Sequence, residues 1–144
     1  MPVVDADHLL ELAERLISPP PRGGAPRQAD LRRAISTVYY AVFHAVATEA
    51  TDDFVGRAQR QSPRYALVYR SIDHRPLRVL CEEVQKDELP KKYSKYEPNG
   101  GFGADFKALA AAVVDLQEKR HLVSRKNFRR RLRGRDGPYG VRAV

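Results

Sequence analysis

The sequence predicts an all-α protein folded as an antiparallel bundle of four or five helices. Apolar residues recur at spacings of three and four over several long segments, which is the period of an amphipathic helix. We find no sustained alternation of apolar and polar residues, the pattern that predicts a strand. Segments rich in proline and glycine separate the apolar stretches and are predicted to connect the helices.

The first two helices are predicted on either side of a clear linker. Asp5 is expected to cap the first helix, because its carboxylate can accept hydrogen bonds from the free amides of the first turn. The segment SPPPRGGAP at 18–26 ends that helix, since prolines lack the amide donor and glycines relax the backbone. A second, central helix is predicted from about Gln28 to Ala50. Its core-facing stripe is expected to be Leu31, Ile35, Val38, Val42 and Ala45.

The C-terminal half is predicted to contain further helices and one long loop. Residues 63–87 form either one kinked helix or two abutting helices, because Pro76 interrupts the apolar pattern and Asp73 can cap a new start. Residues 89–103 are predicted to be a loop, and the last strong helix begins near Ala104. Six residues of the second and last helices are expected to be buried between them: Ile35, Val38, Val42, Leu109, Val113 and Leu116.

Length and composition indicate one globular domain and exclude several kinds of site. The chain has 144 residues, of which 42% are hydrophobic and 31% charged, so it can bury a core. A lone cysteine, Cys81, excludes a disulfide framework, and the four scattered histidines form no metal-binding pattern. We find no glycine-rich phosphate loop after a strand, no secretory signal and no bilayer-spanning apolar run. A cytoplasmic protein without membrane contact, metal or cofactor is therefore expected.

The positive charge of the chain is concentrated at its C-terminus. The net charge is +8, and residues 118–144 carry ten Lys or Arg and two acidic residues, which leaves 16 of each in residues 1–117. A concentrated basic segment favours a polyanionic partner. We predict a helical domain over 1–125 and a basic segment over 126–144, which is either a nucleic-acid-binding arm or a solvated, partly disordered end. Its predicted nucleic-acid-binding residues are Lys126, Arg129, Arg130, Arg131, Arg133 and Arg135.

Two segments resemble a known family. The stretch DLRRAISTVYYAVFH over 30–44 resembles the signature helix of bacterial HEPN (higher eukaryotes and prokaryotes nucleotide-binding) proteins. The stretch LQEKRH over 116–121 resembles a second segment of that family, in the later part of the last long helix. The order of these segments, and the helices predicted between them, extend the likeness over residues 5–123. After His121 the chain departs from the family, so the C-terminus is either a true basic arm or an altered end.

The resemblance implies a helical bundle that commonly dimerises and, in many members, a ribonuclease that needs no metal. That activity is associated with an arginine followed, after four to six residues, by a histidine. The guanidinium offers a planar fork to phosphate oxygens. The imidazole titrates near neutral pH, so it can take a proton from the ribose 2′-hydroxyl or supply one to the leaving oxygen. A toxin or defence protein of this kind is expected to form a homodimer and to pair with a nucleotidyltransferase-type antitoxin.

The family spacing of arginine and histidine is missing from this chain. The nearest pair is Arg70 and His74, with three residues between them. They share one helical face if the helix is unbroken; if Asp73 starts a new helix, His74 lies in its first turn. Arg120 and His121 are adjacent, and their side chains must diverge by about 100° on a helix. The catalytic candidates are therefore Arg70, His74, His121 and His44.

Three functional hypotheses follow from the residues and the resemblance. The first is a HEPN-like protein that acts on or binds RNA, as a metal-independent ribonuclease toxin or defence component. The second is a non-catalytic HEPN-like module for dimerisation or interaction, favoured by the missing spacing. The third is a basic nucleic-acid binder without chemistry. For each histidine the competing interpretation is a structural one, and the Tyr39–Tyr40 pair favours packing in the core or at an interface over the stacking of bases.

Overall fold

The computed structural model describes residues 3–21 and 23–133, with side chains described as far as Val123. Over these residues the protein is all-α, which confirms the predicted class. None of the helices in this part of the chain combines the length and apolar character needed to cross a bilayer. In chain order the elements are α1 (Ala6–Ile17), α2 (Gln28–Val55), a 3-10 turn η1 (Arg57–Gln59), α3 (Pro63–Ser71), α4 (His74–Val84), α5 (Lys91–Ser94) and α6 (Ala104–Arg133).

The long helices α2 and α6 run side by side in opposite directions. Arg120 of α6 lies over the ring of Tyr39, whereas Ala110 of α6 lies beside Val46 in the lining of a shared cavity. Residue numbers therefore rise along α2 as they fall along α6. Helix α4 also packs against α6, and α1 lies along α2. This arrangement places α2 at the centre, as predicted.

The buried face of α2 is built from aromatic and small residues. Tyr39 and Phe43 enter the core, and Ala34, Ala41 and Ala47 are buried on the same helix. Because alanine side chains are short, neighbouring helices approach α2 closely at these positions. The main core cluster also takes residues from α4 and α6: Leu77, Cys81, Val84, Ala110 and Val113.

This packing corrects part of the predicted core. Of the six residues expected to be buried, Val113 is buried, but Leu109 is 47% exposed because it lies at the rim of the groove between α4 and α6. The other four predicted residues are half-buried, since the alanine and tyrosine positions of α2 occupy the centre of the contact: Ile35, Val38, Val42 and Leu116.

The ends of the helices are determined by capping residues and glycines, which the apolar pattern alone does not show. Asp5 caps α1 as predicted, accepting from the amide of Asp7 at 3.0 Å. Helix α2 is five residues longer than predicted and ends at Gly56, whose φ of 102° suits glycine and few other residues. Helix α5 is a single turn inside the predicted loop, and α6 begins at Ala104 as predicted.

Candidate functional site

The structure places the four predicted catalytic candidates on four different helices. His44 lies on α2, Arg70 in the last turn of α3, His74 at the first residue of α4 and His121 on α6. His44 and His74 are half-buried, whereas Arg70 and His121 are exposed. The two half-buried histidines are the candidates that packing brings to one site.

A break in the helix separates Arg70 from His74. Ile72 and Asp73 have extended backbones, and Asp73 Oδ1 accepts a hydrogen bond from the amide of His74 at 2.6 Å. Pro76 lies in the first turn of α4, where a missing amide leaves no helical hydrogen bond unmade. Of the two predicted alternatives, the new helix starting after Asp73 is correct. A single helical face that carries both Arg70 and His74 is wrong.

The imidazole of His74 lies among three aromatic rings of α2. Its ring centroid is 3.9 Å from that of Phe43, 5.4 Å from that of Tyr39 and 5.9 Å from that of Tyr40. Tyr39 is only 1% exposed, and its hydroxyl is hydrogen-bonded to His74 Nδ1 at 2.8 Å. The ring is thus held in orientation by both packing and a hydrogen bond.

His44 lies beside the same aromatic residues. Its Nδ1 is hydrogen-bonded to the hydroxyl of Tyr69 at 2.7 Å, and the two rings stack with an interplanar angle of 11°. Its centroid is 5.4 Å from that of Phe43 and 6.2 Å from that of Tyr40, two rings that also flank His74. The two histidines therefore share neighbours, and each has its Nδ1 bonded to a tyrosine.

Helix α6 adds a cation and an amide to this site. The guanidinium carbon of Arg120 lies 4.6 Å from the ring centroid of Tyr40 and 5.0 Å from that of Tyr39, a cation–π arrangement. Gln117 is 4% exposed, and its Nε2 donates to the carbonyl oxygen of His74 at 3.3 Å. We call the following residues the histidine cluster: Tyr39, Tyr40, Phe43, His44, Tyr69, His74, Gln117 and Arg120.

Arg120 and His121 diverge, as their adjacency on a helix predicts. Arg120 faces α2, while the side chain of His121 is exposed. His121 is still near enough to His74 to add, after burial and Arg120, to the lowering of the pKa of that imidazole. His121 therefore lies at the edge of the site.

Both histidines of the cluster are neutral at neutral pH. Burial lowers the pKa of His74, and the nearby charge of Arg120 lowers it further, while Asp73 opposes these effects. Burial also lowers the pKa of His44. Both groups normally have a pKa near 6.5, so a downward shift leaves each imidazole uncharged at pH 7. The site combines an arginine cation with two neutral imidazoles.

The apolar periodicity did not reveal all of these residues. The sequence pointed to His44 and His74, but Tyr69 was not predicted to take part, and Gln117 was placed on one helical face with His121 and was not a catalytic candidate. A signal for Gln117 exists, because it lies three residues before Arg120 and thus on the same helical face. No local signal links Tyr69 to His44, because their contact depends on how α3 packs against α2.

A second polar cluster lies at the C-terminal end of α2. Asp52 is buried, and its Oδ1 accepts from Arg60 Nε at 3.0 Å and from the Tyr65 hydroxyl at 2.9 Å. Its Oδ2 accepts from the Arg60 Nη2 group and from Arg57 Nε. These donors hold the pKa of Asp52 well below its usual range. We call Asp52, Arg57, Arg60 and Tyr65 the aspartate cluster.

The predicted nucleic-acid-binding residues fall where side chains are not described. Helix α6 continues to Arg133, so the predicted boundary between residues 125 and 126 lies within it. The side chains of Lys126, Arg129, Arg130, Arg131 and Arg133, and all of Arg135, lie outside the described residues. Their role stays a prediction.

Comparisons with known proteins do not assign the chain to a family. The chain matches no protein-family model, no curated protein and no solved structure. Within residues 3–21 and 23–133, no three His, Cys, Asp or Glu side chains form a group that could hold a metal ion. The likeness to HEPN proteins therefore stays a prediction. The histidine cluster is the group of residues whose chemistry can indicate a function.

Proposed function

We propose that the histidine cluster binds RNA and cleaves it without a metal ion, as a HEPN-like ribonuclease of the toxin or defence type. One observation carries the proposal: α2, α4 and α6 bring His44, His74 and Arg120 against the ring of Tyr40. A cation for phosphate and neutral imidazoles for proton transfer are the groups that cleavage by the 2′-hydroxyl requires.

The proposed reaction uses these groups at separate atoms. A neutral imidazole takes the proton of the ribose 2′-hydroxyl, and the 2′-oxygen attacks the adjacent phosphorus. Arg120 balances the charge that develops on the phosphate oxygens. The bond from phosphorus to the 5′-oxygen breaks, and the imidazolium formed in the first step gives its proton to that oxygen. The products are a 2′,3′-cyclic phosphate and a 5′-hydroxyl, so no water or metal is needed in the step.

The proposed partners come from the charge distribution and the resemblance. The basic segment 126–144 is proposed to bind the RNA backbone, because its Lys and Arg residues can neutralise phosphates. A nucleotidyltransferase-type antitoxin is proposed from the likeness to HEPN proteins alone, and a homodimer from that likeness and the aromatic residues of α2. A cytoplasmic location is proposed from the composition of the chain.

A second candidate function is a non-catalytic interaction module. It is favoured by apolar surface between α4 and α6, where a cavity of about 100 Å³ is lined by apolar side chains and Cys81. Leu80, Phe106 and Leu109 line it and are about half exposed. Exposed apolar patches of this kind mark protein-binding surfaces. Under this alternative, the histidines serve only to pack α4 against α2.

The test is cleavage of a mixed-sequence single-stranded RNA in the presence of a chelator. We expect a 2′,3′-cyclic phosphate product from the wild type and a loss of roughly 100-fold or more in His74→Ala and in His44→Ala, as for removal of a group that acts in the transition state. Arg70→Ala is the matched control, because Arg70 is exposed and lies on α3, beyond the helix break. Its activity should stay within about twofold of the wild type.

The other outcomes separate the remaining hypotheses. An inactive wild type that still binds RNA tightly would favour a nucleic-acid binder without chemistry. An inactive wild type that neither binds RNA nor sediments as a monomer would favour the interaction module. Equal losses of cleavage activity in Arg70→Ala and His74→Ala would instead place the active site at Arg70 and His74, the pair nearest to the family spacing.

A further inference from the structure

A short segment between α4 and α6 carries lysines and tyrosines side by side on the surface. Residues 91–96 read KKYSKY, and we call them the lysine–tyrosine segment. Its three lysines are exposed, and so is Tyr96, at 67%. The core holds the chain on both sides of the segment, since Val84 is buried and Phe102 packs against the core cluster. The segment therefore projects into solvent between two anchored ends.

Backbone hydrogen bonds place the tyrosines and the lysines on different sides of the segment. The amide of Tyr93 donates to the carbonyl of Pro90 at 2.7 Å, and the amide of Tyr96 donates to the carbonyl of Tyr93 at 2.9 Å. Hydrogen bonds of this spacing wind the chain so that residues three apart lie on the same side. Tyr93 and Tyr96 thus share one side of the segment. Lys92 and Lys95 share the adjacent side.

The lysines of this segment differ from the other described lysines in their partners. Three lysines elsewhere in the chain each lie within 4.0 Å of a carboxylate oxygen: Lys86, Lys107 and Lys119. Among the described side chains, no carboxylate forms such an ion pair with a lysine of the segment. The ammonium of Lys92 instead lies 4.4 Å from the ring centroid of Tyr93, and that of Lys95 lies 4.8 Å from the ring centroid of Tyr96. Their charge is therefore available to an anionic ligand.

Two rings beside two ammonium groups match the chemistry of a single strand of nucleic acid. Unpaired nucleobases stack on aromatic side chains, and lysines neutralise the phosphates of the strand. A duplex fits less well, because its nucleobases are already stacked on one another. An acidic peptide would use the lysines and leave the exposed ring of Tyr96 without a partner. The segment therefore favours a single-stranded ligand.

We infer that the lysine–tyrosine segment binds single-stranded nucleic acid, with nucleobases stacked on its tyrosine rings and phosphates held by its lysines. The segment connects the end of α4 to the start of α6. His74 lies about 15 Å from that end of α4, and Arg120 lies about 24 Å from that start of α6, at 1.5 Å per residue. The site is thus separate from the histidine cluster, and binding here does not depend on the proposed ribonuclease activity.

The test is the affinity for single-stranded DNA and for 2′-O-methyl RNA of the same mixed sequence, measured by fluorescence anisotropy. Neither probe has a free 2′-hydroxyl, so neither can be cleaved by the proposed reaction. We expect Tyr96→Ala to weaken binding of both probes roughly fivefold or more, and Tyr96→Phe, which keeps the ring, to bind within about twofold of the wild type. Phe54→Ala is the matched control and should leave both affinities unchanged, because Phe54 is a 72% exposed ring on α2.

Salt dependence separates the stacking from the charge. Lys95→Ala should flatten the log–log slope of affinity against salt concentration by about 0.7, the value for one phosphate of a single strand. Tyr96→Ala should weaken binding with the slope unchanged, because a stacked ring releases no counterion. Lys86→Ala is the matched control for charge, since Lys86 is paired with Glu83 at 2.8 Å. It should change the slope less than Lys95→Ala does.

Three results would overturn the inference. The first is an unchanged affinity of Tyr96→Ala for both single-stranded probes. The second is an equal loss with duplex DNA, which would show that the ring is not a platform for unpaired nucleobases. The third is a wild type that binds neither probe, whatever the cleavage assay of the histidine cluster shows. Binding that depends on Tyr96 and Lys95 in a protein that cleaves no RNA would support this site and count against the proposed function alone.

Discussion

The aspartate cluster and the histidine cluster are neighbours along α2, where His44 and Asp52 are about 12 Å apart at 1.5 Å per residue. In each, a buried tyrosine from one helix bonds to a titratable group on another, through Tyr65 to Asp52 and through Tyr39 to His74. Their surroundings differ. Both carboxylate oxygens of Asp52 accept from arginine, whereas the imidazole of His74 bonds through Nδ1 to a tyrosine and packs against the ring of Phe43.

This difference separates a structural contact from a chemical site. The aspartate cluster pairs opposite charges and ties α2 to η1 and α3, so both carboxylate oxygens of Asp52 are occupied. The histidine cluster places Arg120 beside neutral imidazoles and leaves the buried acceptor Oε1 of Gln117 without a hydrogen-bond partner among the described residues. Satisfied polar networks make a fold rigid, and unsatisfied ones mark sites of function. The presence of polar residues alone therefore does not show whether a cluster is structural or functional.

Removal of Asp52 is the strongest test of the structural side of this comparison. Asp52→Ala leaves Arg60 and Tyr65 without their acceptor, so the melting temperature should fall on the order of 10 °C, measured by calorimetry. The matched control is Glu49→Ala, whose exposed carboxylate lies 3.9 Å from Arg57. That variant should melt within about 2 °C of the wild type. If Asp52→Ala matched this control, the aspartate cluster would not hold the fold together.

The sequence predicted the helices better than it predicted either cluster. Asp5, Asp73 and the start at Ala104 are local signals, because a cap or a helix start depends on neighbouring residues. Leu109 was misplaced because burial depends on which neighbour covers a helical face. The length of α2 was underestimated because Asp52 looks polar and becomes buried only when Arg60 folds back onto it.

In the histidine cluster, the two histidines were the residues that the sequence predicted as catalytic candidates. His44 and His74 were chosen for the chemistry of their residue type, which the sequence shows directly. Their partners were not, since Tyr69 reaches His44 from α3 and Gln117 reaches His74 from a helix more than 40 residues later in the chain. Periodicity reports which face of a helix is apolar, and it contains no information on which helix will cover that face.

Arg120 offers a test of the chemical side of the comparison. Arg120→Ala should weaken binding of single-stranded RNA roughly tenfold at low salt. Arg120→Lys should recover little, because an ammonium does not offer phosphate the planar fork of a guanidinium. Fluorescence anisotropy measures the affinity. Lys119→Ala is the matched control, because it removes the same charge from the adjacent position, where Lys119 pairs with Asp115. Equal weakening by both variants would indicate a general charge effect, with no special role for the histidine cluster.

The smallest expected effect is the pH dependence of stability, in which the clusters should act in separate ranges. The folded pKa values of His44 and His74 lie below 6.5, so the unfolded chain binds more protons, and stability falls as the pH drops below about 6.5. The pKa of Asp52 is lowered from 3.8, so its contribution is complete above that value and is lost only at more acidic pH.

Thermal melts between pH 8 and pH 3 would show whether these ranges are separate. In His44→Gln, which has no imidazole to protonate at that position, the decrease in melting temperature between pH 7.5 and pH 5 should be smaller than in the wild type. Asp52→Ala should keep the wild-type decrease in that interval and lose part of the decrease below pH 4. An unchanged slope in His44→Gln would contradict a lowered histidine pKa. Burial in the histidine cluster would then give the imidazole of His44 no added preference for its neutral form.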